Sequence, residues 1–421
     1  MIIQNLQTFE KEDDFIVQVE VKTADKLELL WFSTPAKYGD YLCKTRMDGF
    51  LVGMLYPAMQ HGEDIHVAGT VSERLLHNIN TYIIPLLRCY SPTAKSIRVT
   101  ADYTDSSSNL HSNGVGTGFS GGIDSFGVVY DYLFRDVPEI YKLTHFIFLN
   151  VGSHGKAKTR EDLSRVRDKF HVRYELLSAF PNEIGIDFIP LDSNLHLFHY
   201  PWGHQTTHSL TTIAGVLFFQ GLFRRYYIAS AGLTYGEIME SGHMYTGLDM
   251  AMFDPQLLPL LSTESLELIP DGQQSNRMGK TLLVVDYSPA QRFLNVCIAA
   301  ESLSVKNCSV CKKCVRTLAM LRIIGVEDEF KEVFDITKYI NEKEKKFFAR
   351  LSLGLCLGVF QKQMVDYAKS HNVSLRLHTT VYHIFMEILG LPIELLIGKL
   401  RKIEWVRSLF HRVRKQFTKR M

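Results

Sequence analysis

Hydrophobic periodicity and composition divide the chain into four regions. Up to about residue 112, short apolar or alternating runs at 15–21, 27–32, 64–68 and 97–100 predict strands. Thr70 and Glu73 have capping-box spacing ahead of a helix carrying Leu75, Leu76, Ile79 and Ile83. These elements predict a small α+β domain over 1–112. Its end, 102–113, is rich in Ser, Asn and Asp and reads as a linker. From 114 the pattern becomes strand, helix, strand, helix. Val115 and Phe119 precede a turn; Phe126, Val128, Val129, Tyr132 and Leu133 follow it at helical spacing. Strands are expected at 144–150, 187–191 and 226–231. Between them lie a helix with Leu163, Val166 and Phe170 on one face and a long helix over 206–223. Such alternation predicts a doubly wound parallel α/β sheet over 113–300. Residues 235–290 are weakly patterned, 293–296 reads as a last short strand, and 315–325 as a helix. A cysteine-bearing segment over 301–334 leads to a region expected to be helical from 335 to 421.

The turn after Phe119 carries the first candidate chemistry. Ser120-Gly121-Gly122-Ile123-Asp124-Ser125 joins a strand end to a helix start. Two glycines let backbone amides face a ligand, and the helix adds free amides and the positive end of its dipole. That combination is an anion cradle to which Ser120 and Ser125 can add hydroxyls. Asp124 repels a bare anion and makes sense where a divalent cation accompanies phosphate. No Gly-Lys-Ser/Thr follows, so this is not a Walker A loop, and the glycine spacing is not that of the dinucleotide fingerprint. Ligands of parallel sheets bind beyond the carboxyl ends of the strands. Those ends are small or polar here: Ser120, Asn150-Val151-Gly152, Asp192-Ser193-Asn194 and Ser230-Ala231-Gly232.

Seven cysteines change the picture further. Cys308, Cys311 and Cys314 form Cys-x-x-Cys-x-x-Cys, with Cys297 upstream. An odd number with three so close argues against a secreted disulfide framework. Four thiolates complete a closed tetrahedral Zn²⁺ site, and Lys312, Lys313 and Arg316 offset its negative charge. An iron–sulfur cluster uses the same ligand count, and redox-active or free surface thiols are the other readings.

Ser-Gly-Gly-Ile-Asp-Ser resembles the pyrophosphate loop of the N-type ATP pyrophosphatases. The Asn-Cys-x-x-Cys-x-x-Cys-x-Arg-Thr string from Asn307 is similar to the zinc-bearing, 7-cyano-7-deazaguanine synthase (QueC)-like and asparagine-synthase-like branch, as are Asn150-Val151-Gly152-Ser153-His154 and Ser275, Arg277 and Lys280. The resemblance covers 114–325. It implies a HUP-like adenine nucleotide alpha hydrolase fold and an ATP-dependent, carbon–nitrogen bond-forming ligase that adenylates a carboxylate- or amide-type substrate and releases pyrophosphate. By that resemblance Ser120, Gly121, Gly122, Ile123, Asp124 and Ser125 hold pyrophosphate, and Asp124 binds Mg²⁺. Arg277 and Lys280, i and i+3 on a helix, supply cations to the phosphates. Leu149, Asn150, Gly152 and Ser230 border the nucleotide, and His154 is a phosphate or substrate contact or an ordinary loop histidine. Asp192, His199, Trp202 and His204 form a substrate pocket or an ordinary buried loop. His204 and His208 have metal spacing but lack a His-Glu-x-x-His pattern.

Charge is uneven although the net is only +2. From Lys399 onward nine basic residues face one acidic residue, a net of +8, which leaves the rest at −6. Trp405, Val406, Leu409, Phe410, Val413 and Phe417 recur at helical spacing there. This pattern suits a membrane surface, RNA, a partner, or packing on its own domain. The start lacks a basic, apolar leader, so a cytoplasmic address is expected. No cysteine near the N-terminus offers a glutaminase nucleophile, so ammonia is expected free or from a partner, such as one encoded in the same gene cluster. Two further readings remain. One is a tRNA- or nucleic-acid-modifying enzyme of the same fold. The other is a nucleotide-binding subunit without turnover in a bacterial modification or defence system.

Overall fold

The computed structural model describes residues 1–108, 112–155, 157–240, 249–297, 307–355 and 358–388. Their strands are β1 Ile2–Lys11, β2 Asp14–Lys22, β3 Leu27–Pro35, β4 Ile65–Ser72, β5 Val99–Asp105, β6 Gly114–Gly118, β7 His145–Asn150, β8 Asp187–Ser193, β9 Phe223–Ala229 and β10 Glu267–Asp271. The helices that matter below are α1 Asp48–His61, α2 Ile123–Val129, α3 Arg160–Leu177, α4 His204–Val216, α5 Arg277–Val285 and α6 Lys312–Ile324.

All ten strands join one mixed sheet in the order β10-β9-β6-β7-β8-β3-β2-β1-β4-β5. The run from β10 to β8 is parallel throughout. Counted along the chain from β6, its order is 3-2-1-4-5, so the winding reverses between β6 and β9. β7 shows why these strands are central: Phe146, Ile147 and Phe148 are all buried, as a parallel strand covered on both faces requires. Phe146 stacks on Phe119 and Phe148 on Phe170. Ile147, on the other face, belongs to the cluster of Leu210, Ile213 and Ala214.

Residues 1–105 share this sheet, because β3 pairs antiparallel with β8 at Phe32↔Ser193 and Ser33↔Asp192. Met1–Asn307 forms one compact unit and a second begins at Cys308. In the second unit α6 is followed by the helices Ile336–Tyr339, Lys345–Ser352 and Val359–Ser370, and Arg322 of α6 pairs with Glu327 and Glu344. The basic tail, read as suiting a membrane surface, RNA, a partner or its own domain, lies outside the described residues.

Several local expectations change. β1 carries little apolar signal because only Ile3 of its ten residues is fully buried. β10 is short and contains Pro270, which is tolerated because β10 is a sheet edge. The helix after β4 is capped by Ser72, whose Oγ accepts from Leu75 N at 3.0 Å, so the cap is two residues beyond Thr70. Residues 102–105 extend β5 instead of beginning a linker. The strand expected at 293–296 is absent: a helix ends at Phe293 and an asparagine side chain takes the backbone groups that follow.

Candidate functional site

β6 delivers the chain to Phe119, whose ring sits among Phe126, Phe146 and Phe180 at centroid distances of 5.1–5.3 Å. This aromatic floor fixes both ends of the loop. The chain reverses at Gly121, where φ is +71°, the left-handed region that disfavours any Cβ. A Cβ there would also lie 2.6 Å from Leu177 Cδ2. Gly122 is the N-cap of α2 and receives no side-chain cap bond. Ser125 Oγ donates to Gly122 O at 3.0 Å, and Ser120 Oγ lies 3.4 Å from Ser125 Oγ.

The opposite wall comes from α5. Asn276 caps it by accepting from Gly279 N at 3.0 Å. One turn then presents Arg277 and Lys280 together. Arg277 Nη2 lies 2.8 Å from Asp124 Oδ2, and Lys280 Nζ lies 3.6 Å from Asp124 Oδ1. Lys280 Nζ also donates to Ser230 Oγ at 2.5 Å and to Ser230 O at 2.9 Å. Its side chain is 3% exposed, and that burial lowers the ammonium pKa while Asp124 opposes the shift. Asp124, Ser230, Arg277 and Lys280 are thus brought together at the ends of β6 and β9, where the winding of the sheet reverses.

Two acids not expected from the sequence line the same crevice. Asp131 and Asp271 border it with Asp124, Ser275 and Lys280. Burial raises the pKa of both. Asp271 Oδ1 accepts from Tyr132 Oη at 2.8 Å, and the Tyr132 ring stacks on Tyr227 at 3.8 Å. Asp271 ends β10, the strand its short length and proline concealed, so no strand-end signal marked it.

Asn150 and Gly152 lie elsewhere, at the end of β7. Asn150 Nδ2 donates to Asp192 Oδ1 at 2.7 Å, and Asp192 is also paired with Arg167. Gly152 borders a cavity of about 250 Å³ lined also by His196, His199, Tyr200, His204 and Thr207. His199 Nε2 lies 2.7 Å from Gly53 O, while neither ring nitrogen of His196 has a hydrogen-bond partner among the described residues. Burial pushes both imidazoles down to about 4. Trp202 packs edge-on against Tyr56 at 5.6 Å. His154 is a packing residue, edge-on to Phe148 and Phe170 and pushed down to about 3 by burial. His208 is paired with Asp249 at 2.8 Å and joins no metal-competent group of three among the described residues.

The four cysteines form the other candidate centre. The Sγ atoms of Cys297, Cys308, Cys311 and Cys314 all lie within 4.8 Å of one another, and this is the one group of at least three metal-competent side chains among the described residues. Sγ of Cys314 is 3.8 Å from that of Cys308 and 3.4 Å from that of Cys311. A tetrahedron with Zn–S bonds of about 2.3 Å has edges of roughly 3.8 Å. The donor set and spacing therefore fit a tetrathiolate-bound metal such as zinc. Cys311 is the N-cap of α6, so the positive end of that helix offsets thiolate charge, and Cys308 Sγ accepts from Cys311 N at 3.3 Å. Asn307 supplies the local reason for the arrangement: its Oδ1 accepts from Val296 N and Cys297 N at 2.8 and 3.0 Å, and its Nδ2 donates to Leu294 O at 2.9 Å. Among the described residues no helix is long and apolar enough to cross a membrane. No protein-family model, curated protein or solved structure matches the chain.

Proposed function

We propose that the protein is an ATP-dependent ligase of the PP-loop pyrophosphatase type, with the HUP-like sheet that family uses. It adenylates a carboxylate- or amide-type acceptor and releases pyrophosphate. The observation that carries this reading is the convergence of Arg277 and Lys280 on Asp124 at the glycine loop. A loop of backbone amides facing two fixed cations is a site for a polyphosphate, and the acid between them is a ligand for the accompanying metal. The 3-2-1-4-5 order of the parallel strands supports the reading, since nucleotides bind where such a sheet reverses.

In this mechanism an acceptor oxygen attacks the α-phosphorus of ATP, the bond to the β-phosphate oxygen breaks, and pyrophosphate leaves. Ammonia then displaces AMP from the adenylate. Amides at 120–125 hold the departing pyrophosphate. Arg277 and Lys280 neutralise charge that grows as it leaves, the type of contribution that fixed donors make best in a dry site. Asp124 would hold Mg²⁺, which supplies further charge neutralisation on the phosphates. The cavity between the ends of β7 and β8 is the acceptor or base pocket, where uncharged imidazoles offer both a donor and an acceptor. The tetrathiolate metal is structural.

The test is pyrophosphate release from ATP and Mg²⁺ with ammonium and a panel of small carboxylates, and separately with tRNA. Release stimulated by a carboxylate supports the ligase. Release only with tRNA moves the protein to nucleic-acid modification. ATP binding without release under any condition makes it a nucleotide-binding subunit.

A further inference from the structure

The cysteine centre and the pyrophosphate loop are joined by bonds that neither role by itself requires. Asn295, two residues before Cys297, donates its backbone N–H to Gly121 O at 2.7 Å. Gly121 is the loop residue with φ of +71°, and its missing Cβ leaves the space that Leu177 and Asn295 occupy. Arg173 of α3 fixes the same segment from the side, donating to Asn295 Oδ1 at 3.2 Å and to Cys297 O at 3.3 Å. Asn307, next to Cys308 in the chain, clamps Leu294 O, Val296 N and Cys297 N with one carboxamide. The segment Leu294–Cys297 forms no strand: Leu294 N closes the preceding helix on Ala290 O, and bonds from its other backbone groups reach Gly121, Asn307 and Arg173.

We infer that Leu294–Cys297 is a strut through which the metal-loaded tetrathiolate centre holds the Gly121 peptide in the conformation of the pyrophosphate loop, with Asn307 and Asn295 as positioning residues. Metal binding to Cys297 fixes one end of a four-residue segment. Asn307 prevents that segment from sliding, and the Asn295 N–H transmits its position to Gly121 O. Without the metal nothing bridges the four sulfurs, which lie within 4.8 Å of one another, and Cys297 Sγ loses its link to the other three. Coupling of this kind is reciprocal: whatever stabilises the loop must also retain the metal.

The test is amide hydrogen exchange on the full-length protein, metal-loaded and after treatment with a chelator, read on peptides covering 118–126 and 145–150. The strut predicts exchange at 118–126 at least ten-fold faster after stripping, with 145–150 changed less than two-fold. Metal-loaded Asn307→Ala reproduces the loop acceleration. Asn307→Asp, which keeps an acceptor oxygen for Val296 N and Cys297 N, stays nearer the unmodified protein. Unchanged exchange at 118–126 overturns the inference, and so does parallel acceleration of both peptides, which would be general unfolding. A second arm rests on the pyrophosphate reading above. Calorimetric affinity for magnesium pyrophosphate should fall at least ten-fold on stripping, and magnesium pyrophosphate should slow metal transfer to the chelator by a similar factor. A metal-loaded protein that binds no pyrophosphate overturns the proposed function, and the exchange experiment still judges the strut.

Discussion

Lys280 is an ammonium almost sealed from water, and its surroundings decide what its removal does. Ser230 O and Oγ take two of its protons, and Asp124 provides the opposite charge. Asp124 is partly exposed and keeps Arg277 at 2.8 Å when Lys280 is replaced, so no buried charge is left uncompensated, whereas removing Asp124 leaves the buried Lys280 ammonium without its counter-ion. Lys280→Met should therefore change unfolding free energy by less than about 1 kcal/mol while lowering the proposed pyrophosphate release by roughly 10²–10³-fold. Asp124→Asn should destabilise by about 1–3 kcal/mol, less than the roughly 3–5 kcal/mol of a fully buried pair because Asp124 is partly exposed. Chemical denaturation and the release assay, run on both variants, separate the two effects. His199 makes a prediction in pH. Its imidazole, depressed to about 4 by burial, is neutral in the folded chain, while in the unfolded chain it titrates near 6.5. Stability is fully present above pH 6.5 and is lost as pH falls toward 4, by about 3 kcal/mol for this residue. Asp48 and Asp254, raised to about 6 and about 7, act in the opposite sense. The measurable quantity is the stability difference between the protein and His199→Gln, followed from pH 7 to 4. It should move in the variant's favour as pH falls, and a flat difference would refute the neutral assignment.

At the level of elements, the glycine loop works because two elements crowd it, α3 through Leu177 and the segment after Phe293 through Asn295. Gly121→Ala should cost about 1–3 kcal/mol in denaturant unfolding. The positive φ contributes roughly 1–2 kcal/mol and the 2.6 Å approach to Leu177 the remainder. In Gly121→Ala/Leu177→Ala the steric part is relieved and the φ part stays, so the pair should be non-additive by up to about 1 kcal/mol. This loop was legible in the sequence because its chemistry is local: strand, two glycines and helix follow one another without a gap. Lys280 with Arg277 was legible as a pair at i, i+3, but its target was suggested only by the family resemblance. β10 was hidden by five residues and a proline, and with it Asp271, whose role depends on that strand ending beside β9. The segment 294–297 has the composition of a strand and lacks a partner strand, since Asn307 supplies the bonds. A side chain that substitutes for a neighbouring strand leaves no periodic trace.

At the scale of the whole first unit, the open question is whether residues 113–421 can stand without residues 1–112. The sheet argues that they cannot. β3 lies beside β8, and side chains strengthen that seam: Thr34 Oγ1 donates to Pro190 O at 2.8 Å, Asn194 Oδ1 accepts from Trp31 N at 3.0 Å, and Ser193 Oγ donates to Trp31 O at 2.8 Å. α1 packs on α4 so closely that a Cβ on Gly49 would lie 2.6 Å from Ala214 O and 2.5 Å from Phe218 Cε2. Phe32, Phe50 and Phe218 meet with ring centroids 4.4–5.7 Å apart, all three almost fully buried. Removing 1–112 would uncover Phe218 and the apolar face of α4 and leave β8 as a bare edge beside the candidate acceptor pocket. Each large apolar side chain so exposed forfeits about 1.5–3 kcal/mol, and a domain holds only about 5–15 kcal/mol in reserve. A chain beginning at residue 113 should therefore be insoluble or lack a cooperative thermal transition. The same chain co-expressed with a separate 1–112 fragment should copurify with it and regain that transition, because every bond in the seam is non-covalent. A soluble 113–421 that melts cooperatively by itself would show the first five strands to be an independent accessory domain. The pocket between the ends of β7 and β8 would then have to be built without them.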